Sequence, residues 1–145
     1  MGYVSIISFG SPEFDEAVRL RYLVLREPLG LDFTAEHIAA EFDKVHIAHF
    51  NHRGHINGYL QLVAYPDGET VQMKQVAVAA DAQRQGIGAK LVGVAEDWAK
   101  NKALKTMLLH ARASAIPFYQ NLDYQAVGEK FEEVGIEHLK FIKRF

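Results

Sequence analysis

An alternating apolar run, Val71-Gln72-Met73-Lys74-Gln75-Val76-Ala77-Val78, is followed closely by Gln83-Arg84-Gln85-Gly86-Ile87-Gly88-Ala89 and then by an amphipathic helical pattern. Strand, glycine loop and helix in that order leave few folds open, all of them α/β arrangements with the helix packed on a sheet. The first turn of a helix has N–H groups without partners, and its dipole favours negative charge. Two glycines one residue apart let the backbone approach a ligand with no Cβ in the way. Arg84 and Lys90 add positive charge to the same turn, so the segment reads as an anion-binding helix start.

The flanking sequence extends the pattern. Tyr3 to Ser8 reads as a strand, and Ser11-Pro12 as a helix start with a capping residue and Pro at the first position. That helix carries Phe14, Val18, Tyr22 and Leu25 on one face and stops near Pro28-Leu29-Gly30. Thr34 caps a short helix to about Ala40; two strands, 45–50 and 55–65, flank a turn at Asn51-His52-Arg53-Gly54; and Pro66-Asp67-Gly68 turns the chain into the run before the glycine loop. Beyond the loop, Ile87, Leu91, Val94, Ala95 and Trp98 share a helical face. A strand over 104–109, a helix capped by Ser114 with Pro117 in its first turn, and a hairpin of 124–132 with 136–141 complete the chain. The expected order is β-α-α-β-β-β-α-β-α-β-β: an α/β fold with a mixed central sheet and an antiparallel meander, unlike a doubly wound sheet.

A length of 145 residues fits one domain over residues 1–145. The absence of cysteine excludes disulfides, thiolate metal sites and a cysteine nucleophile. A net charge of −2 argues against binding driven by nucleic-acid phosphates. Neither a signal-peptide pattern nor a membrane-length apolar stretch is present, so a cytoplasmic protein with no membrane partner is expected, as a monomer or a homodimer.

Three phosphate-binding patterns compete for the loop. A nucleoside triphosphate loop needs Gly-Lys-Ser/Thr, which is missing, and a dinucleotide fingerprint needs a small residue where Leu91 stands. A shorter Gln/Arg-x-x-Gly-x-Gly/Ala loop fits Gln83–Gly88 at every specified position, beside the alternative of a glycine-containing helix start with no ligand.

These residues resemble the GNAT N-acetyltransferases. The resemblance is carried by Val76-Ala77-Val78, the glycine loop, Ala111-Arg112-Ala113, and Ala115-Ile116-Pro117-Phe118-Tyr119-Gln120-Asn121-Leu122-Asp123-Tyr124; elsewhere only the element order matches. It implies an N-acetyltransferase that uses acetyl-coenzyme A as co-substrate, with no metal. Gln83, Arg84, Gln85, Gly86, Ile87, Gly88 and Ala89 would then surround the pyrophosphate, with Lys90 as a charge partner. The backbone of Val76, Ala77 and Val78 would hold the pantetheine arm like an added strand, one N–H polarising the thioester carbonyl. Tyr119 would be the general acid for the leaving thiolate, because a phenol of pKa ~10 suits that proton transfer. Its bland alternative is one member of a packed aromatic pair with Phe118.

Three departures from the family are visible. Asp123-Tyr124 stands where Gly-Phe is common, so Asp would take the left-handed helix end. Arg112 replaces a frequent Asn and becomes a weaker coenzyme contact, or one that reaches a phosphate. The strand before the loop lacks the usual Glu, which leaves Glu69, His110 or water as the base. His49, His52 and His55 straddle a turn without completing a ligand set and read as exposed residues.

The resemblance also implies a small-molecule or peptide amine as acceptor, entering opposite the coenzyme and framed by the first two helices, their connection Arg26–Phe33 and the last hairpin. Glu27, Asp32, Glu36 and Glu41 could attract it and Arg21 and Arg26 could hold a carboxylate, or all could be surface charges. A non-catalytic acyl-CoA-binding or sensing module is the alternative function.

Overall fold

A computed structural model describes residues 2–145. The elements are β1 (Gly2–Ile7), α1 (Pro12–Arg21), α2 (Ala35–Ala39), β2 (Val45–Asn51), β3 (Ile56–Ala64), β4 (Thr70–Val78), α3 (Ile87–Asn101), β5 (Thr106–Arg112), α4 (Ile116–Asn121), β6 (Gln125–Glu133) and β7 (Ile136–Arg144). This is the α/β order expected from the sequence. The strands form one mixed seven-stranded sheet in the order β1-β2-β3-β4-β5-β7-β6. The chain clusters into two compact units, Met1–Leu62 with Gln75–Ala95, and Val63–Lys74 with Glu96–Phe145.

In the first unit, β1 pairs antiparallel with β2, and β2 with β3. Ser11 caps α1 by accepting from the Phe14 N–H at 3.1 Å, and Thr34 caps α2 by accepting from the His37 N–H at 3.1 Å. Pro28 has no N–H, and its ring clashes with the carbonyl four residues back, so the chain leaves α-helical geometry ahead of it. The expected single helix therefore widens into a π-turn at Tyr22–Arg26, tightens to a 3-10 turn at Glu27–Leu29 and stops at left-handed Gly30. The core gathers Ile7, Ala17, Leu20, Ala48, Phe50, Ile56 and Tyr59. Gly58 lets α3 sit close on β3: a Cβ there would lie 2.8 Å from Ile87 Cγ2 and 2.9 Å from Leu91 Cδ1.

In the second unit, residues 70–73 of β4 pair parallel with 106–109 of β5, and β5 and β6 both pair antiparallel with β7. The α3 C-terminus closes with Leu104 N–H donating to Ala99 O and Ala103 N–H to Lys100 O, both at 3.0 Å. That is a Schellman cap whose left-handed residue is Ala103 at φ 60, with buried Leu104 after it. A Cβ costs energy in this conformation that glycine avoids. Ala103→Gly is therefore expected to raise unfolding free energy by about 1 kcal/mol. A higher urea midpoint at constant slope would show the gain, and an unchanged midpoint would refute it.

The Ser114 cap is a correction. A 3-10 turn spans Ala113–Ala115, and α4 follows from Ala115 without a side-chain cap. Pro117 does fall in the first turn of α4.

Candidate functional site

The candidate residues divide between the units. Val76–Val78 and Gln83–Lys90 lie in the first; Arg112 and Tyr119 lie in the second.

Within the first unit, Gln75 at φ 57 interrupts the extended course of β4 and leaves its buried Oε1 without a partner. Val76 and Val78 follow, half-buried, around buried Ala77. Ala79 N–H then donates to Asn57 O at 2.9 Å, and a 3-10 turn at Ala80–Ala82 leads into the loop. Gln83 Nε2 donates to Val78 O at 3.1 Å, folding the loop back on the strand end. Arg84 and Gly86 take left-handed conformations, at φ 65 and 79. Lys90 N–H donates to Gly86 O at 3.1 Å, so Gly86 occupies the cap of α3. The N–H groups of Ile87, Gly88 and Ala89 then have no carbonyl within the helix to reach.

A Cβ at Gly86 would meet nothing within 4 Å, so the backbone angle, not space, demands glycine there. Gln83, Arg84, Gln85, Ala89 and Lys90 are exposed, whereas the Ile87 side chain is buried over Gly58 and can offer a ligand only its backbone. Gln85 and Lys90 line a cleft of about 230 Å³ with Asp81, Asn57 and His49.

Within the second unit, Tyr119 is buried on α4, at 5% exposure. Its ring packs edge-on to Phe118 and Tyr124, at centroid distances of 4.9 and 5.8 Å, and lies 6.3 Å from Phe141. Burial pushes its phenol well above the usual tyrosine value, so it keeps its proton across the neutral range. Tyr119 O accepts from Leu122 N–H at 3.1 Å and Tyr124 N–H at 3.0 Å, and Asp123 N–H donates to Gln120 O at 3.0 Å. Asp123, at φ 69, is the left-handed residue of this second Schellman cap. Arg112 pairs with His138 across β5 and β7; burial lowers its pKa and Glu133 opposes that shift.

The candidate bases separate. Glu69 precedes β4 at the end opposite Val78, exposed and paired with Lys105 at 3.2 Å. His110 lies inside β5, not at its end, with Nδ1 3.1 Å from Glu133 Oε2.

Two expectations differ from the structure, and one residue was not anticipated. His52 and His55 are exposed, but His49 is buried and donates from Nδ1 to Asn57 Oδ1 at 2.6 Å. Arg21 and Glu41 are not surface charges or acceptor contacts. They bury each other in a two-point pair, Nη1 to Oε1 at 2.8 Å and Nη2 to Oε2 at 2.7 Å. Glu96, not singled out from the sequence, accepts from Tyr124 Oη at 2.9 Å and from Lys143 Nζ at 3.2 Å. The available signal is its spacing of four and three residues from apolar Val92 and Ala99, which puts it on the face that the structure buries.

The family model for the acetyltransferase (GNAT) domain matches residues 31–145. The uncharacterized protein YyaT of Bacillus subtilis (strain 168) is 32% identical over 76 residues, which is 52% of this chain and 51% of that protein. The match thus spans about half the length of this curated relative. A candidate N-acetyltransferase of Lactobacillus plantarum superposes with a TM-score of 0.84 at 21% identity, covering 97% of each chain. An aminoglycoside 6'-N-acetyltransferase complexed with coenzyme A gives 0.82 at 14% identity, covering 98% of this chain and 96% of that one. A GNAT family acetyltransferase from Elizabethkingia anophelis with acetyl-CoA bound gives 0.75 at 21%, covering 99% and 98%. At these identities the superpositions bear on the fold alone.

Proposed function

Because the chain belongs to the acetyltransferase (GNAT) family, we propose that it transfers an acetyl group from acetyl-coenzyme A to a primary amine by direct attack. The coenzyme supplies a thioester: the amine nitrogen bonds to the carbonyl carbon, the C–S bond breaks, the sulfur gains a proton and the nitrogen loses one. The coenzyme A and acetyl-CoA bound in two of the structural relatives support that co-substrate.

One observation carries the reading. The cap at Gly86 presents the N–H groups of Ile87, Gly88 and Ala89, which no helix carbonyl reaches, beside exposed Arg84 and Lys90, which suits a pyrophosphate. The backbone of Val76, Ala77 and Val78 is assigned to the pantetheine arm; Val78 O already accepts from Gln83, so the arm would share or displace that bond. Tyr119 donates the proton that the sulfur gains; the phenol holds that proton at neutral pH, and burial, by raising its pKa, makes it the weaker acid in the absence of coenzyme. Water or His110, whose Nδ1 lies 3.1 Å from Glu133 Oε2, takes the proton from nitrogen, because Glu69 stands before β4 at the end of the strand opposite Val78.

On the acceptor side, a groove of about 920 Å³ in the first unit is lined by Phe14, Tyr22, Phe33 and Ile38 together with Asp15, Asp32 and Arg19. Apolar walls with two carboxylates against one guanidinium fit an amine carried on an apolar body.

Thermal shift with acetyl-CoA, followed by thiol release against a panel of amines, tests the proposal. Stabilisation and turnover are expected. Gly86→Val must hold or abandon a left-handed backbone at a cost of ~1–2 kcal/mol, so it should weaken coenzyme binding roughly tenfold. The sensor alternative is favoured by the absence of a carboxylate within β4, where Gln72, Lys74 and Gln75 stand. Stabilisation without turnover on any amine would select the sensor, and no stabilisation by any acyl-CoA would overturn both readings.

A further inference from the structure

The end of α4 is fastened at more points than a short exposed turn requires. Glu96, on α3, is 9% exposed, and Tyr124 Oη donates to its Oε2 at 2.9 Å. Lys143, on β7, donates from Nζ to both Glu96 carboxylate oxygens at 3.2 Å and to Leu122 O at 3.0 Å. The same ammonium lies 5.5 Å from the Tyr124 ring centroid. Leu122 is the C-cap residue of α4, and Tyr124 N–H bonds to Tyr119 O while its ring meets the Tyr119 ring edge-on. Contacts from α3 and β7 therefore converge on the two residues that close the turn after Tyr119.

We propose that Glu96 is a positioning residue for Tyr119, acting through Tyr124 and Lys143 to fix where the Tyr119 phenol points. This rests on the assignment of Tyr119 as general acid. A group that transfers a proton only when aligned is sensitive to small displacements. Glu96 orients Tyr124 by accepting its hydroxyl proton and draws Lys143 onto the Leu122 carbonyl, so loss of Glu96 loosens ring and backbone together. An ordinary buried ion pair would contribute to stability alone and would be indifferent to whether residue 119 carries a hydroxyl.

That difference supplies the test. Tyr124→Phe and Glu96→Gln are made in the wild-type chain and in Tyr119→Phe, with thiol release from acetyl-CoA measured against a pool of phenethylamine, spermidine, glycinamide and kanamycin. Tyr124→Phe keeps the ring and removes only the hydroxyl, which guards against a Glu96 variant that fails to fold. In the wild-type background each change is expected to lower kcat about 3- to 10-fold with KM for acetyl-CoA nearly unchanged. In the Tyr119→Phe background the same changes should alter kcat by less than about twofold. Equal losses in both backgrounds, or no loss in either, would overturn the positioning role while leaving Tyr119 as the acid. No effect of Tyr119→Phe, or no turnover by the wild-type chain, would overturn the underlying assignment and this inference with it.

Discussion

Tyr119→Phe is expected to lower kcat by about 10²-fold or more, the range of a positioned general acid, with little change in KM for acetyl-CoA. The substitution removes only the hydroxyl. The ring contacts with Phe118, Tyr124 and Phe141 are retained, so loss of turnover would report the proton and not the packing. The pH dependence provides a second check. Burial raises the Tyr119 pKa above its ordinary 10.0, so the phenol should remain protonated through the range in which an exposed phenol titrates. The sign for stability follows from the same shift. A raised folded-state pKa contributes stability that is complete below the unfolded value and is lost as pH rises through the folded one. Unchanged kcat in Tyr119→Phe, measured by thiol release with an amine that the wild-type chain accepts, would remove the residue from the mechanism.

What the sequence reveals follows the range of the interactions involved. The strand, loop and α3 are legible because their signals are local: apolar alternation, glycines at a helix cap, and a repeating apolar face. The caps at Ser11 and Thr34 act over three residues, and the left-handed Asp123 is set by the helix it ends. Residues whose role depends on distant partners give weaker signals. Arg21 lies among the buried Phe14, Ala17 and Leu20 of α1, a face rotated from the Phe14, Val18 and Tyr22 stripe that the sequence suggests, and nothing local names Glu41 as its partner twenty residues on. Glu96 behaves likewise, with partners on β7 and at the end of α4. His49 was read as exposed because it flanks a turn, yet it faces inward beneath the start of α3, where its Cβ lies 3.3 Å from a Cβ built on Gly58.

Arg21→Ala should destabilise the chain by ~3–5 kcal/mol, since it would leave the Glu41 carboxylate buried without its counter-charge. Arg21 is 0% exposed and Glu41 1%, and the guanidinium also stands 4.7 Å from the Phe33 ring and 5.2 Å from that of Tyr59. Gln61 Nε2 adds a bond to Glu41 Oε2 at 3.1 Å. Behind the pair, His46 Nε2 lies 3.0 Å from the Glu41 carbonyl, which can only accept, so Nε2 carries the proton and Nδ1 accepts the Tyr59 hydroxyl at 2.6 Å. Burial is the main cause of the lowered His46 pKa, which favours the neutral ring and that assignment of the Nδ1 lone pair. For Glu41, burial pushes the carboxyl up, but the Arg21 bonds and charge outweigh it and the net shift is downward.

Both depressed values act in one direction. Below each unfolded-state pKa the unfolded chain binds more protons, so stability should fall with pH from about 6.5 for His46 and again from about 4.5 for Glu41. Joint replacement by Arg21→Met and Glu41→Leu removes both charges at once and should cost less than either single change. Urea melts across that pH range would check both claims. A double variant as unstable as the sum of the two single changes, or a flat stability profile between neutral and acid pH, would show that the pair is not the coupled, buried charge system its geometry describes.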